Sequence, residues 1–190
     1  MTENLILLAF FFGGVLIYAV LDPRTNAIHD LQTRFDRLIP FIPQFTVPYL
    51  GLYLLVPVTV LLLLGTHFER NYIASLAVGM YTGAAVWYFV PTKMHRPRVS
   101  GNSFSEKLAL LIYRGDPHAN GCPSAHVFSS LISSYFLSLA FPTYALIAWG
   151  AGLLVAVSTM FIKRHQAIDV LSGILWAAGA ILIAQYLIPA

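Results

Sequence analysis

The chain of 190 residues is 58% hydrophobic and only 10% charged, whereas a soluble globular domain has about 25% charged residues. This composition excludes a disordered chain and a conventional soluble domain, and a single cysteine excludes a disulfide-stabilised secreted scaffold. The net charge of +3 comes from 11 basic and 8 acidic residues, which is too weak and too dispersed for binding nucleic acid. The sequence therefore predicts an integral membrane protein.

In chain order, six segments are predicted to span the membrane, because each approaches the roughly 20 mostly apolar residues that a span needs. They cover residues 4–21, 47–64, 72–90, 124–141, 144–162 and 168–188. The fourth is rich in serine and is predicted to face protein, since small hydroxyl residues let helices approach closely. The predicted fold class is all-α. It is a single transmembrane domain over residues 1–190, built as a six-helix bundle with short interfacial helices near 27–38 and 105–113.

The distribution of charge predicts which side of the membrane carries the polar loops. Six spans would place the connection 22–46 and the loops 92–123 and 163–167 together on one side. Ten of the 11 basic residues lie in these segments, and only Arg70 lies opposite. Because lysine and arginine favour cytoplasmic loops, this asymmetry indicates a cytoplasmic face.

Two polar motifs follow the third span. The first is the loop Pro91-Thr92-Lys93-Met94-His95-Arg96-Pro97-Arg98, whose cations suit either an anion site or a basic anchor at the membrane surface. The second opens the fourth span as Pro123-Ser124-Ala125-His126. Proline and serine are typical of a helix start, where free N–H groups favour an anion. His126 could donate a proton to a leaving oxygen, or it could be an ordinary interfacial histidine.

The third motif precedes the sixth span and contains His165 and Asp169. Residues four apart share a helix face, so the aspartate can hold one ring nitrogen and leave the other free to attack. An ionisable group at the start of an apolar run is costly and is a functional candidate. Two other interpretations fit the same spacing. The pair could be structural, or it could bind a metal ion, although the sequence shows no third and fourth ligand for one.

The predicted topology brings all three motifs to one face of the membrane. Cations and helix N–H groups would hold the oxygens of a phosphoryl group. One histidine would attack phosphorus, and the other would protonate the departing oxygen. No carboxylate cluster suggests magnesium, so neither a metal nor another cofactor is expected.

With these motifs the chain resembles the type 2 phosphatidic acid phosphatase superfamily of membrane lipid phosphatases. The family motifs Lys-x6-Arg-Pro, Pro-Ser-Gly-His and Ser-Arg-x5-His-x3-Asp correspond in order to Arg96-Pro97, to Pro123-Ser124-Ala125-His126, and to Ser158 with His165 and Asp169. The resemblance implies that His165 is the nucleophile, that Asp169 orients it and that His126 is the general acid. Arg96 and Ser124 would bind phosphate oxygens.

Two positions depart from the family pattern, because its first lysine falls at Phe89 and its third-motif arginine at Thr159. Lys93 is expected to replace the lysine, and Lys163 or Arg164 the arginine. The form of the motifs looks more like the branch that includes inositol phosphorylceramide synthases, and that branch passes a phosphorylated head group between lipids. The expected substrate is a membrane phospholipid or polyprenyl phosphate, with water or a lipid alcohol as acceptor. The alternative of another class is a non-catalytic protein that binds or transports an anionic lipid.

Overall fold

The structure, a computed structural model, describes residues 9–17, 29–115 and 121–188. It is mostly helical, with 76% helix and 2% strand, as the all-α prediction requires. The helices are α1 (9–17), α2 (Arg34–Leu38), α3 (Thr46–Leu50), α4 (Leu52–Leu63), α5 (Glu69–Phe89), α6 (Phe104–Gly115), α7 (Ala125–Ala140), α8 (Ala145–Phe161) and α9 (Ala167–Leu187). Two short strands, β1 (His29–Asp30) and β2 (Thr92–Lys93), form a parallel pair.

Among the described residues, three helical segments are long and apolar enough to cross a membrane, namely Pro43–Leu63, Pro142–Phe161 and Ala167–Leu187. They coincide with the second, fifth and sixth predicted spans. These lengths and compositions are compatible with a membrane protein.

The other three predicted spans do not meet the same requirements of helix length and apolar composition within the described residues. α5 has 21 residues but opens with Glu69, Arg70 and Asn71, and α7 has only 16 residues. Part of the first predicted span forms α1, and the rest of it lies outside the described residues. The six-span arrangement therefore stays a prediction.

α7 lies at the centre of the fold, where it packs against α4, α5, α8 and α9. Eleven of its 16 residues are buried, which confirms that the serine-rich segment faces protein. The buried hydroxyls of Ser130, Ser133 and Ser134 lie within hydrogen-bond distance of backbone carbonyls three or four residues earlier in the same helix. Ser134 Oγ also lies 2.8 Å from the carbonyl oxygen of Ala148 on α8. The serines thus satisfy their own polar groups and allow the two helices to approach closely.

The helix predicted over 27–38 is wrong in its extent, because the described part of that segment becomes helical only at Arg34. Thr33 begins the helix: its hydroxyl accepts from the N–H of Asp36, and the Asp36 carboxylate accepts from the N–H of Thr33. This reciprocal cap gives α2 a fixed start. Upstream, the pairing of β1 with β2 keeps the chain extended. The helix predicted near 105–113 is confirmed as α6, and Ser103 caps it.

The three polar segments meet at one end of the helices. The β1–β2 pair joins the first segment to the second. Within the second, the Thr92 hydroxyl accepts the N–H groups of Gly121 and Cys122 at 3.0 and 2.9 Å. The N–H of Ser124 donates to the carbonyl oxygen of Asp169 at 3.1 Å. The predicted convergence of sequence-distant polar segments is therefore observed.

Candidate active site

Two histidines from different motifs lie next to each other at this polar end. The ring centroids of His126 and His165 are 5.9 Å apart, and the ring planes are inclined by 54°. Both residues are buried, with 6% and 5% of their surface exposed. His126 lies in the first turn of α7, and His165 lies in the loop that leads into α9. The structure thus places two imidazoles from sequence-distant motifs side by side.

Asp169 holds one side of the His165 ring. Its Oδ2 lies 3.4 Å from Nδ1 of His165, a long contact between two side chains that are each 2% exposed. The same oxygen accepts from the N–H of Gln166 at 2.9 Å and so caps α9. Because the helix start fixes the carboxylate, Asp169 can select the tautomer that has its proton on Nδ1. Nε2 then keeps the lone pair that a nucleophile needs.

The backbone of Gly121 closes over this carboxylate. A Cβ atom at Gly121 would lie 2.9 Å from both Asp169 Oδ2 and Thr92 Oγ1, which is closer than real Cβ contacts. Glycine is therefore required here by the close approach of the chain to Asp169.

His126 is surrounded by aromatic rings that the sequence analysis missed. Tyr49 stacks on it with centroids 4.2 Å apart, and Tyr53 approaches edge-on at 6.0 Å. Tyrosines four apart in a helical segment share a face, which is the signal that would have indicated them. Both ring nitrogens of His126 are buried and have no hydrogen-bond partner among the described residues. Buried polar atoms are nearly always paired, so a ligand's oxygen would complete the environment of this ring.

Two arginines lie near the phenol of Tyr113 on α6. The Arg96 guanidinium lies over the Tyr113 ring, 4.9 Å from its centroid, and donates to the Tyr113 carbonyl oxygen at 2.8 Å. Arg164 is fully buried and contacts the sulfur of Met94. Burial raises the pKa of Tyr113 to about 12, and the positive charges of both arginines oppose that rise. The predicted phosphate ligands Arg96 and Arg164 therefore both lie close to Tyr113.

The other predicted phosphate ligands are placed differently. Lys93 has an exposed side chain, and its carbonyl oxygen accepts from the side-chain amide of Gln166. The Lys163 ammonium donates to the carbonyl oxygens of Asp36 and Ile39, which occupies it in holding α2. Ser124 is buried and caps α7, where its hydroxyl accepts from the N–H of Val127 at 3.3 Å. Three further polar residues of the sequence, Asp116, His118 and Asn120, lie outside the described residues.

Two cavities adjoin the histidine pair. The first, called the polar cavity, has many charged and polar side chains among apolar ones in its lining, and the second, called the apolar cavity, is lined almost entirely by apolar side chains. The polar cavity, of about 370 Å³, is lined by Gln32, Asp36, Arg37, Ile39, Phe41, Met94, His95, Arg96, Pro97, Met160, Lys163, His165 and Gln166. The apolar cavity, of about 230 Å³, is lined by Phe11, Phe12, Val15, Leu52, Tyr53, Val56, Pro57, Met80, Ala125, His126 and Ser129. His165 belongs to the first and His126 to the second, so the pair lies at the boundary between them.

Within residues 9–17, 29–115 and 121–188, no group of three or more His, Cys, Asp or Glu side chains could hold a metal ion. No family model matches the chain, and no curated protein or solved structure matches it.

Proposed function

We propose that the protein is a membrane lipid phosphatase that acts through a phosphohistidine, in the manner of the type 2 phosphatidic acid phosphatases. The observation that carries the proposal is the position of the His126–His165 pair between a polar and an apolar cavity. An amphiphile bound there would place its tail against the aromatic and aliphatic residues and its phosphate between the imidazoles. Neither a soluble phosphate ester nor an uncharged lipid would use both cavities.

The proposed reaction has two steps at phosphorus. Nε2 of His165 attacks and forms an N–P bond, while the P–O bond to the lipid alcohol breaks and the departing oxygen takes a proton from His126. Water then gives a proton to His126 and attacks from the side that the alcohol left. The N–P bond breaks, inorganic phosphate leaves, and His165 is regenerated.

Charge on the phosphoryl group would be stabilised by groups already in place. Asp169 would stabilise the positive imidazole of His165 through Nδ1. Arg96, Arg164 and the first N–H groups of α7 would hold the non-bridging oxygens, as preorganised donors do in other phosphoryl transfer sites. Lys163 is left out of this set because its ammonium already binds α2.

The proposal also makes the chain a six-span, multi-pass membrane protein. Large apolar side chains point outward on the helices that can cross a membrane, for example Leu61 (66% exposed), Leu146 (90%) and Leu175 (74%). Lipid tails would cover these side chains, whereas water would leave a large apolar surface exposed.

The test is an assay of purified protein in detergent and EDTA against phosphatidic acid, phosphatidylglycerol phosphate and polyprenyl phosphates. We expect release of inorganic phosphate, its loss in His165→Ala and His126→Ala, and no change in His67→Ala. His67 is a suitable control because it is exposed in the turn before α5. A strict metal requirement, or full activity in His165→Ala, would refute the proposal.

A second candidate, a lipid phosphotransferase, is favoured by the size of the polar cavity. At about 370 Å³ it falls in the range of small-molecule sites, about 300–1,000 Å³. It could hold a polar substituent that stays on phosphorus while a lipid alcohol takes the place of water. This candidate predicts a new phospholipid when a diacyl phospholipid and an acceptor lipid are supplied together, with little free phosphate.

A further inference from the structure

Asp36 makes contacts that neither the motifs nor the proposed reaction explain. It lies on the short helix α2, yet only 6% of its surface is exposed. Its Oδ1 accepts from the N–H of Ala167, the first residue of α9, at 2.6 Å. Its Oδ2 accepts from the N–H and the hydroxyl of Thr33 at 2.7 and 2.6 Å. Both oxygens of this buried carboxylate therefore accept hydrogen bonds. The donor to one of them, the N–H of Ala167, belongs to a helix more than a hundred residues later in the chain.

The same helix binds the other end of the loop. The Lys163 ammonium donates to the carbonyl oxygen of Asp36 at 2.9 Å and to that of Ile39. Burial lowers the pKa of Lys163, and the negative charge of Asp36 raises it. The Lys163 backbone has φ +55°, a left-handed conformation that is uncommon for residues other than glycine. Contacts from outside the loop are needed to hold such a backbone.

The loop 163–167 is thus held on both sides of His165. Lys163 is fixed two residues before it and Ala167 two residues after it. At the turn itself, the N–H groups of Arg164 and His165 both donate to the carbonyl oxygen of Thr159, at 2.9 and 3.1 Å. The direction of the His165 ring therefore depends on how this short loop is anchored.

We propose that Asp36 is a positioning residue for His165: by binding Ala167 and presenting its carbonyl to Lys163, it fixes the loop so that the imidazole faces His126. The role assigned to His165 rests on the proposed function. A helix start leaves its first N–H groups unsatisfied, and Asp169 already takes that of Gln166. Asp36 accepts the next free N–H group, that of Ala167, from outside α9. This hydrogen bond connects the end of the loop to α2.

The test compares Asp36→Ala and Asp36→Asn with Glu106→Ala. Glu106 is a matched control, because it is also a capping carboxylate on the polar side. It is only partly buried, and its described hydrogen-bond partners lie in its own segment, at Ser100, Asn102 and Ser103. Misplacing a reacting group by about 1 Å can reduce the rate on the order of 10²-fold. We expect Asp36→Ala to lower kcat by that order with KM unchanged, Asp36→Asn to recover part of the loss, and Glu106→Ala to match the wild type.

A second readout does not need activity. Amide hydrogen exchange over residues 163–168 should accelerate in Asp36→Ala, while exchange in the middle of α7 and α9 stays the same. If the wild type cleaves no lipid phosphate, the proposed function fails and exchange alone decides whether Asp36 holds the loop. Unchanged exchange in Asp36→Ala, or a loss of activity confined to KM, would overturn the inference.

If the Asp36→Ala protein does not fold, Thr33→Val provides a milder test of the same contact. It removes only the hydroxyl that donates to Asp36 Oδ2 and keeps the carboxylate. We expect faster exchange over residues 163–168 and a smaller fall in kcat than in Asp36→Ala. A Thr33→Val protein with wild-type exchange and wild-type kcat would contradict the proposed role of Asp36.

Discussion

One carboxylate oxygen of Asp169, Oδ2, both contacts Nδ1 of His165 and caps α9. Asp169→Asn should lower kcat on the order of 10²–10⁴-fold, as the loss of orienting carboxylates does in other enzymes. The neutral amide of asparagine does not stabilise a positive imidazole. If its NH₂ group faces Nδ1 of His165, it favours the tautomer that has its proton on Nε2, which cannot attack phosphorus. Steady-state kinetics on the best lipid phosphate measure the effect, and equilibrium binding of the substrate should stay intact. Wild-type kcat in this variant would exclude Asp169 from the mechanism.

Gly121 tests how closely the chain must approach that carboxylate. Gly121→Ala should reduce kcat at least tenfold, about 1.4 kcal/mol in the barrier, because its Cβ would displace Asp169 or Thr92. Gly115→Ala is the matched control, since a Cβ there meets no described atom within 4 Å. Equal activity of the two variants would show that the carboxylate has room to move.

Single residues of the candidate site were predictable where they stand in a local motif, and not where the partner is distant in sequence. His126, His165 and Asp169 stand in patterns of fixed spacing, and the structure brings them together. Asp36 and Tyr49 act on the same region across separations that no local spacing encodes. Lys163 was predicted to bind phosphate as a replacement for the arginine of the third family motif. Its hydrogen bonds to the carbonyl oxygens of Asp36 and Ile39 could not be read from the sequence.

At the scale of elements, the contact between α2 and α9 should depend on pH. Burial raises the pKa of Asp36, but hydrogen bonds from Thr33 and Ala167 and the charge of Lys163 outweigh it, so the pKa falls below its usual value. A lowered pKa in the folded protein means that the carboxylate stabilises the fold above its unfolded pKa of about 4. This stabilisation is lost as the pH falls through the folded value.

Thermal unfolding between neutral pH and pH 3 measures this effect. The wild type should lose stability below about pH 4, and Asp36→Asn should show a smaller loss because it has no carboxylate to protonate at this contact. Identical pH profiles would mean that other acidic groups dominate the acid sensitivity.

Elements were predictable from apolar length and from capping residues. The segments that contain α3 with α4, α8 and α9 are long and apolar, and the serines of α7 indicated burial. The helix expected over 27–38 was judged from the spacing of its apolar residues. In the structure the Thr33–Asp36 cap sets the start of α2. Pairing with β2 holds residues 29–30 as a strand, so a tertiary contact overrides the helical spacing of the apolar residues.

For the whole molecule, the proposed six-span arrangement would place the turn before α5 and the loop before α6 on opposite sides of the membrane. Cys122 is the only cysteine, so Cys122→Ser gives a background for single cysteines at His67 and Asn102, both of which are exposed. An impermeant thiol reagent should label His67→Cys from outside intact cells and Asn102→Cys only after lysis, because the basic loops favour the cytoplasm. Labelling of both from the same side would contradict the six-span arrangement.

The covalent step proposed for the histidine pair can be trapped and located in the protein. Purified wild-type protein, mixed with a lipid phosphate in EDTA and quenched in alkali within one turnover, should contain phosphate that is stable in base and labile in acid. Peptide mass spectrometry should locate this phosphate on His165, and His165→Ala should lack it. Hydrolysis that proceeds without any such adduct, or an adduct on another residue, would contradict the proposed mechanism.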